Sequence, residues 1–376
     1  MIKHGSSIFL SQEITRSGCN KTCVVLYDDE FNDEFLDAAA NTAKFLDLPL
    51  IPSSGLSRGG DFTHALRLIP YEIDRLSTFA LAIEPINDTH DEGRKRGRRQ
   101  RRTAKVKKQS PFYVDLCPPI NTRAGRRAAG LSGTSDLLIK AVTPRKALNS
   151  GKGDRDGAII YDLTAGFGQD ALLLAINGAS HVHMVERHPI VAALLQDAMR
   201  RLELISSSTS SVSSDLGEEK ENDRRELNVT AKCESFEFNK SNRRQQAIIL
   251  LRKLSLTIGD GKEIIQKQHH KCCDVIYLDP MFPPRQKQAA VKKGMQILHG
   301  LLETQSKKSV PDNNLPSFQE EKETEEHGLL SSALDAAKLR VVVKRPIKAP
   351  PLEESIAKPS YAINGSVNRW DVYVSS

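Results

Sequence analysis

The sequence predicts an α/β protein in which helices cover both faces of a parallel sheet. Short apolar segments rich in β-branched residues recur along the chain, helical segments separate them, and several end on an acidic residue. Strands that alternate with helices in this way are typical of parallel sheets. The chain has 376 residues, of which 39% are hydrophobic, so it is long enough to bury a sizeable core.

Most of these segments lie in the second part of the chain, which we expect to form one domain over 125–376. A helix is predicted at 133–144, because a proline lies just past its last apolar residue. The predicted strands are 157–163, 181–186, 254–260, 273–279, 339–346 and 369–375. Two polar stretches, 206–245 and 303–327, are predicted to be disordered surface insertions, the first of them Ser-rich over 206–226.

A smaller N-terminal α/β module is predicted over residues 1–124. The segment 34–48 has the period of a helix. The predicted strands of this module are 23–29, 78–85 and 111–116. Residues 94–108 hold ten basic residues and no acidic one, and we expect them to loop out between two of these strands.

That basic run accounts for the positive charge of the whole chain. The formal net charge is +7, from 54 basic and 47 acidic residues, whereas without the run it would be −3. A local run of this kind favours a flexible arm that binds a polyanion such as nucleic acid. A solvated insertion and a nuclear-import-like patch are the alternatives.

The composition argues against several classes of protein. No run of 18 apolar residues occurs, so neither a transmembrane helix nor a membrane partner is predicted. The six cysteines form no pair of CxxC motifs, which indicates reduced thiols and no metal site. The N-terminal segment has only weak features of an organellar presequence, so we expect a cytoplasmic protein, with a mitochondrion or plastid as the alternative.

The most informative segment is "YDLTAGFGQDALLLA" at 161–175, in which a strand, a glycine turn and a helix follow one another. Gly166 and Gly168 permit positive φ and a close approach of a ligand to the backbone. The segment lacks the lysine of a P-loop and the third glycine of the dinucleotide fingerprint. Asp170, just after Gln169, would repel a pyrophosphate but would attract a ligand that carries an amino group and a sulfonium.

Two further strand ends carry acidic residues. Glu186 ends the second strand of the sheet, where an acid commonly binds ribose hydroxyls. A solvated glutamate at a strand end is the alternative, although the nearby glycine turn favours ribose binding. Asp260 and Gly261 follow the third strand, where Asp260 is a candidate acceptor for an adenine amine or an ordinary turn residue.

The segment "YLDPMFPPRQK" at 277–287 ends a strand on a carboxylate and continues with three prolines. Asp279 and the carbonyl of Pro280 are candidates to accept hydrogen bonds from the exocyclic amine of a base, on which Phe282 would stack. The prolines would keep this geometry rigid, as methyl transfer requires, because the nucleophile must line up with the donor carbon. A proline-rich turn that begins with a helix-capping Asp is the alternative.

Four segments together resemble the bacterial small-subunit ribosomal RNA guanine-N2 methyltransferases of the RsmJ type. They are "DLTAGFGQDALLLA", "VERHPIVAALL", "VIYLDPMFPPRQKQAAVKKGM" and "RVVVKRPIKAPPL". The resemblance covers about 126–204, 254–302 and 339–374, and "LDPMFP" followed by "VKKGM" is its most specific part. The basic run and the Ser-rich insertion are not features of that family, and they suggest an expanded relative.

The resemblance implies a Rossmann-like class I methyltransferase fold that uses S-adenosylmethionine and acts on ribosomal RNA or the small ribosomal subunit. The family's cofactor contacts fall on Gln169, Asp170, Glu186, Arg187, Asp260, Gly261 and Asp279, and we add Asp162, Gly166 and Gly168 from the glycine turn. This chain departs from the family at Gln169, where the family usually has Arg, and at Asp260 and Gly261, where it has a Ser pair.

Basic residues near the same edge of the sheet are candidates for RNA phosphates. Lys344 and Arg345 end the fifth strand, and Lys287 follows the proline turn. Other functions also fit the sequence. A DNA or protein N-methyltransferase would share the fold, and a non-catalytic RNA-binding relative would share the basic run. The intact Asp279–Pro280 turn and Glu186 argue against the last of these.

Overall fold

The structure is a computed structural model of the chain. It describes residues 23–28, 32–55, 62–73, 76–86, 110–119, 122, 125–126, 135–143, 157–208, 243–268, 270–280, 294, 296–297, 300–301 and 328–375. The predicted basic arm at 94–108 and the insertion at 303–327 lie outside these ranges, as does most of 206–245. Phe282 and Lys287 also lie outside the described residues.

The N-terminal part contains a four-stranded sheet in the order β2-β1-β3-β4. Its strands are β1 (Cys23–Tyr27), β2 (Leu50–Pro52), β3 (His64–Ile73) and β4 (Leu76–Pro85). Strand β1 is parallel to β2 and β3, and β4 is antiparallel to β3. Helix α1 (Asp33–Leu46) begins where the Asn32 side chain accepts the N–H of Phe35, which confirms the predicted helix.

The strand predicted at 111–116 is wrong. Within that segment only Phe112 pairs with another strand, through an isolated antiparallel bridge to Ile83. The chain turns away because Asp115 Oδ1 accepts the N–H of Cys117 at 2.9 Å, and two prolines without N–H donors follow. Sequence analysis also missed β2 and β3, each of which contains a proline that obscures its strand pattern.

The second sheet has seven strands in the order β10-β11-β9-β8-β5-β6-β7. Its strands are β5 (Ile159–Asp162), β6 (His181–Glu186), β7 (Leu254–Ile258), β8 (Cys273–Leu278), β9 (Ala337–Pro346), β10 (Tyr361–Asn364) and β11 (Asn368–Val374). The helices are α2 (Ser135–Val142), α3 (Gln169–Ile176), α4 (Pro189–Ser207), α5 (Arg243–Lys253), α6 (Gly261–Gln266) and α7 (Leu329–Ala336). Each predicted strand of this region is confirmed, and β10 was missed.

The predicted parallel sheet is confirmed, and it carries an antiparallel hairpin at one edge. Strands β5 to β9 pair in parallel, but β11 is antiparallel to both β9 and β10. The connection between β10 and β11 accounts for the pairing of these two strands, because it spans only residues 365–367 and closes with a bond from Gly365 N–H to the Asn368 carbonyl. A parallel pair needs a crossover of a dozen or more residues, so this short turn permits only a hairpin.

The two sheets share one hydrophobic core. Leu81 of β4 and Leu194 of α4 belong to the same cluster of buried side chains. Asp197 of α4 lies at the contact, where it accepts the N–H of Leu81 at 2.8 Å and bonds Arg201 Nε at 2.9 Å. Arg200 also binds Asp197, and we call Asp197, Arg200 and Arg201 the interface cluster. The predicted division of the chain near residue 124 stays a prediction.

The arrangement of the strands gathers the predicted site. Because β5 to β9 are parallel neighbours, their carboxyl ends meet at one edge of the sheet, which we call the carboxyl edge. Ligands of open α/β sheets bind at such an edge. Among the described residues, no helix is long and apolar enough to cross a membrane.

Candidate active site at the carboxyl edge

The structure brings the predicted cofactor residues together at the carboxyl edge. Asp162 ends β5, Glu186 ends β6, and Asp279 directly follows β8. Gln169 and Asp170 begin α3. The remaining predicted residues lie beside these strand ends: Gly166 and Gly168 in the turn after β5, Arg187 just after β6, and Asp260 and Gly261 after β7.

The two glycines of the turn are required for different reasons. Both have positive φ, +54° at Gly166 and +68° at Gly168, which disfavours any other residue. A Cβ at Gly168 would lie 2.9 Å from the Leu195 side chain, so that glycine permits close packing. A Cβ at Gly166 would meet nothing closer than 4.0 Å, so the space beside it is open to a ligand.

Glu186 holds this turn in place. Its Oε2 accepts the N–H of Gly166 and its Oε1 accepts the N–H of His188, both at 2.7 Å. Burial raises the pKa of the Glu186 carboxyl, although these two bonds and Arg187 oppose the rise. Sequence analysis predicted a ligand-binding role for Glu186 but missed this structural one. Each carboxylate oxygen has a second lone pair, so both roles are compatible.

A hydrogen bond holds the backbone of Asp279 in place. Its N–H donates to Thr164 Oγ1 at 2.6 Å, which joins the end of β8 to the glycine turn. The Asp279 side chain is 36% exposed, so a ligand can reach it, whereas Pro280 is buried. The carboxylate is therefore anchored to the turn but remains accessible.

A lysine from the neighbouring strand connects the two sides of the site. Lys344 Nζ of β9 lies 2.7 Å from Asp170 Oδ2 and 2.7 Å from Asp279 Oδ2. The two carboxylates raise the pKa of Lys344 despite its burial, so the ammonium stays charged at neutral pH. We call Asp170, Asp279 and Lys344 the edge cluster. Sequence analysis could not pair these residues, because they are far apart in the chain.

Two buried groups lie beneath the edge cluster. The hydroxyl of Tyr277, which is fully buried, donates to Asp170 Oδ2 at 2.8 Å. Asp162 is 1% exposed, and its Oδ1 accepts the N–H of Thr164. Burial and then the charge of Asp170 raise the pKa of Asp162 well above its ordinary value. Asp162 therefore favours its neutral form more strongly than an exposed aspartate does.

Asp260 and Gly261 build the start of α6. Asp260 Oδ1 accepts the N–H groups of Lys262 at 2.9 Å and Glu263 at 3.2 Å, as a helix cap does. A Cβ at Gly261 would lie 2.7 Å from the Leu163 carbonyl oxygen, so only glycine fits there. The second contact places Gly261 against Leu163, the residue just before the glycine turn. An adenine contact at Asp260 stays a prediction.

Two of the three basic residues predicted to bind RNA have other partners in the structure. Lys344 belongs to the edge cluster, and Arg345 is 7% exposed and donates from Nε to the Pro350 carbonyl at 2.9 Å. Contact of either side chain with RNA phosphate stays a prediction, as do the roles of Phe282 and Lys287. No group of His, Cys, Asp and Glu in the described part of the chain is arranged to hold a metal ion.

Comparison with known proteins identifies the family. The family described as "Putative SAM-dependent methyltransferase" matches residues 95–235 and 238–375. The chain belongs to this family. Its members use S-adenosylmethionine as the methyl donor, which confirms the predicted cofactor and the predicted class of enzyme.

Individual proteins are also similar to this chain. The ribosomal RNA small subunit methyltransferase J of Ectopseudomonas mendocina (strain ymp) is 32% identical, over 71% of this chain and 75% of that protein. The methyltransferase J of Coxiella burnetii (strain Dugway 5J108-111) is 32% identical, over 73% of this chain and 78% of that protein. A crystal structure of a SAM-dependent methyltransferase from Neisseria gonorrhoeae is similar with a TM-score of 0.48 and 22% identity, over 94% of this chain and 96% of that one.

The residues at the carboxyl edge fit S-adenosylmethionine. The cofactor is cationic at its sulfonium and its amino group, and the edge presents the carboxylates of Asp170, Glu186 and Asp279. The open space beside Gly166 leaves room for a ligand against the backbone. A dinucleotide would bring a pyrophosphate to the start of α3, where Asp170 would repel it. The chemistry of the site therefore agrees with the family.

Proposed function

We propose that this protein transfers the methyl group of S-adenosylmethionine to the N2 amine of a guanine in small-subunit ribosomal RNA. Its relatives named ribosomal RNA small subunit methyltransferase J support the substrate. The observation that carries the proposal is Asp279, an accessible carboxylate anchored beside the glycine turn of a methyltransferase. The protein must be in the compartment that holds its ribosomal RNA, and the bacterial relatives favour the cytoplasm.

The cofactor would be held by the groups around the glycine turn. We assign the ribose to Glu186, the adenine end to Asp260 and Gly261, and the amino-acid end to Asp170 and its neighbours. When bound, S-adenosylmethionine supplies an electrophilic methyl group. The protein must then orient the nucleophile and keep the reacting atoms aligned.

Asp279 is suited to orient the amine. The lone pair of guanine N2 is delocalised into the ring, so this nitrogen is a poor nucleophile. A carboxylate that accepts a hydrogen bond from the amine returns electron density to the nitrogen as it attacks. This interaction strengthens as positive charge develops on the nitrogen, so it lowers the barrier more than it strengthens binding. The Pro280 carbonyl and a stacked Phe282 are the proposed further contacts.

The test is the identity of the methylated nucleoside. Small-subunit ribosomal RNA from a strain without the gene is incubated with the purified protein and isotopically labelled S-adenosylmethionine. The RNA is digested and its nucleosides are analysed by mass spectrometry. We expect the label in N2-methylguanosine, and far less of it with the Asp279→Ala variant. Label in a different nucleoside, in DNA or in protein would contradict the proposal.

A further inference from the structure

Lys344 is the residue that links the two halves of the site. It reaches from β9 to Asp170 at the start of α3 and to Asp279 after β8. Both contacts are 2.7 Å, which is the length of a strong charge-assisted hydrogen bond. Its side chain is 19% exposed, so little of it is available to solvent.

The anchor of Lys344 is itself fixed. Asp170 Oδ2 accepts both the Lys344 ammonium and the hydroxyl of the fully buried Tyr277. The bonds therefore run from Tyr277 through Asp170 and Lys344 to Asp279, and Thr164 holds the Asp279 backbone. A side chain fixed at both ends keeps its neighbour in one orientation.

We propose that Lys344 is a positioning residue for methyl transfer, which holds the Asp279 carboxylate toward the substrate amine, and that it is not a ligand of RNA phosphate. This inference rests on the proposed function of Asp279. An ammonium that already makes two short bonds to carboxylates has one N–H left and little exposed surface, so a phosphate would compete with partners already in place. The same ammonium also stabilises the charged form of Asp279, which is the form that accepts from an amine.

Several other titratable groups act on the same pair. Among the residues that the structure describes, those near Lys344 and Asp279 are Asp170 on α3, Tyr277 on β8 and Asp162 on β5. Each of these three groups carries a negative charge once ionised and then favours protonation of Asp279. The positive charge of Lys344 disfavours it. Without Lys344, protonation of Asp279 would extend to higher pH.

The experiment compares Lys344→Met with the wild-type protein. Turnover at saturating RNA is measured across a range of pH, RNA affinity across a range of salt, and cofactor affinity by calorimetry. We expect Lys344→Met to reduce turnover about 10²-fold, the usual cost of a misplaced catalytic group. We also expect the acidic limb of its pH profile to move to higher pH, with RNA affinity and its salt dependence unchanged.

Matched variants separate the possible causes. Lys344→Arg keeps the charge and should recover part of the turnover and the wild-type pH profile. Lys344→Gln keeps a donor without charge, and it serves if Lys344→Met does not fold. Lys338→Met is the control at the other end of β9, where an exposed lysine lies 3.8 Å from Asp274, and its turnover should equal that of the wild type.

Two results would overturn the proposal. Weaker RNA binding with a shallower salt dependence and normal turnover at saturation would make Lys344 a phosphate ligand. Reduced turnover with an unchanged pH profile would make it only a structural residue. The identity of the nucleoside that the wild-type protein methylates does not depend on either of these results. If another atom is methylated, the proposed guanine chemistry fails, while the turnover and pH profile on that product still test Lys344.

Discussion

The interface cluster and the edge cluster are both built from aspartates and long cationic side chains, but they differ in exposure and in charge balance. In the interface cluster, Asp197 is fully buried and Arg201 is 2% exposed. In the edge cluster, Lys344 is 19% exposed and Asp279 36% exposed. The first has two arginines for one carboxylate, and the second has one lysine for two.

The partners explain why the two clusters behave differently. Arg201 also donates to the Val114 carbonyl and lies over the Tyr71 ring, 4.8 Å from its centroid. Asp197 accepts a backbone N–H as well as both arginines, so the cluster is satisfied within the protein. The edge cluster instead presents an accessible carboxylate. A buried and satisfied cluster stabilises packing, whereas an accessible cluster rich in carboxylates is suited to a cationic or amine-bearing ligand.

The largest effect is expected where the interface cluster is broken. Asp197→Ala would leave Arg201 buried without its counter-ion and the N–H of Leu81 without its acceptor. We expect a loss of about 3–5 kcal/mol in the free energy of unfolding, measured by urea denaturation. Glu263→Ala, which removes the exposed pair with Lys267, is the control and should cost less than about 0.5 kcal/mol. Similar losses for both variants would remove the distinction between buried and exposed pairs.

The opposite result is expected for the edge cluster. Asp279→Ala should reduce turnover roughly 10²-fold or more, because the orienting acceptor is lost, while the unfolding transition changes little at this accessible position. Asp274→Ala, at the other end of β8, is the control for turnover. A large loss of stability in Asp279→Ala with turnover retained would mean that the edge cluster is structural like the interface cluster.

Glu186 lies between these two cases, because it both holds the glycine turn and faces the proposed cofactor site. Glu186→Ala would leave the N–H groups of Gly166 and His188 without their acceptor. We expect affinity for S-adenosylmethionine to fall by roughly 1–3 kcal/mol, as measured by calorimetry, together with a lower melting temperature. Unchanged affinity would show that Glu186 only supports the turn, and tight binding of NAD would contradict the cofactor assignment.

The smallest effect concerns Asp162, and it is confined to pH dependence. Burial and Asp170 raise the pKa of Asp162 in the folded protein. At pH values between its ordinary pKa of 3.8 and the raised value, the folded state therefore binds more protons than the unfolded state. Stability from this group therefore falls as pH rises through that window. Asp162→Asn cannot titrate, so its stability relative to wild type should rise with pH. A relative loss of stability with rising pH would contradict this.

The local parts of the fold could be predicted from sequence, and the contacts between distant segments could not. The strand and turn at 159–168 follow from β-branched residues and glycines that act within a few positions. The antiparallel pairing of β10 with β11 depends on a short turn that apolar composition does not reveal. Lys344 and Asp170 are 174 positions apart, so no local pattern indicates that they meet.

The candidate site shows the same limit. Acidic residues at parallel strand ends were sufficient to predict Glu186 and Asp279 as neighbours at one edge. The second role of Glu186, as the acceptor for the turn, depends on where its oxygens point. The partners of Lys344 and Arg345 depend on side-chain packing, which is why both were predicted to face RNA.

The position of β11 has a consequence for observing this protein as it folds. Trp370, the only tryptophan of the chain, lies on β11 in register with Lys344 of β9 on one side and Ile363 of β10 on the other. It is 7% exposed, so its fluorescence reports whether this edge of the sheet is assembled. Strand β11 also packs against α2, which lies much earlier in the chain. Contacts between distant segments form slowly, and a refolding experiment should therefore show helical circular dichroism before the tryptophan signal. Methyl transfer should recover after the tryptophan signal. The reason is that β11, which carries Trp370, pairs with β9 and fixes the backbone from which Lys344 extends.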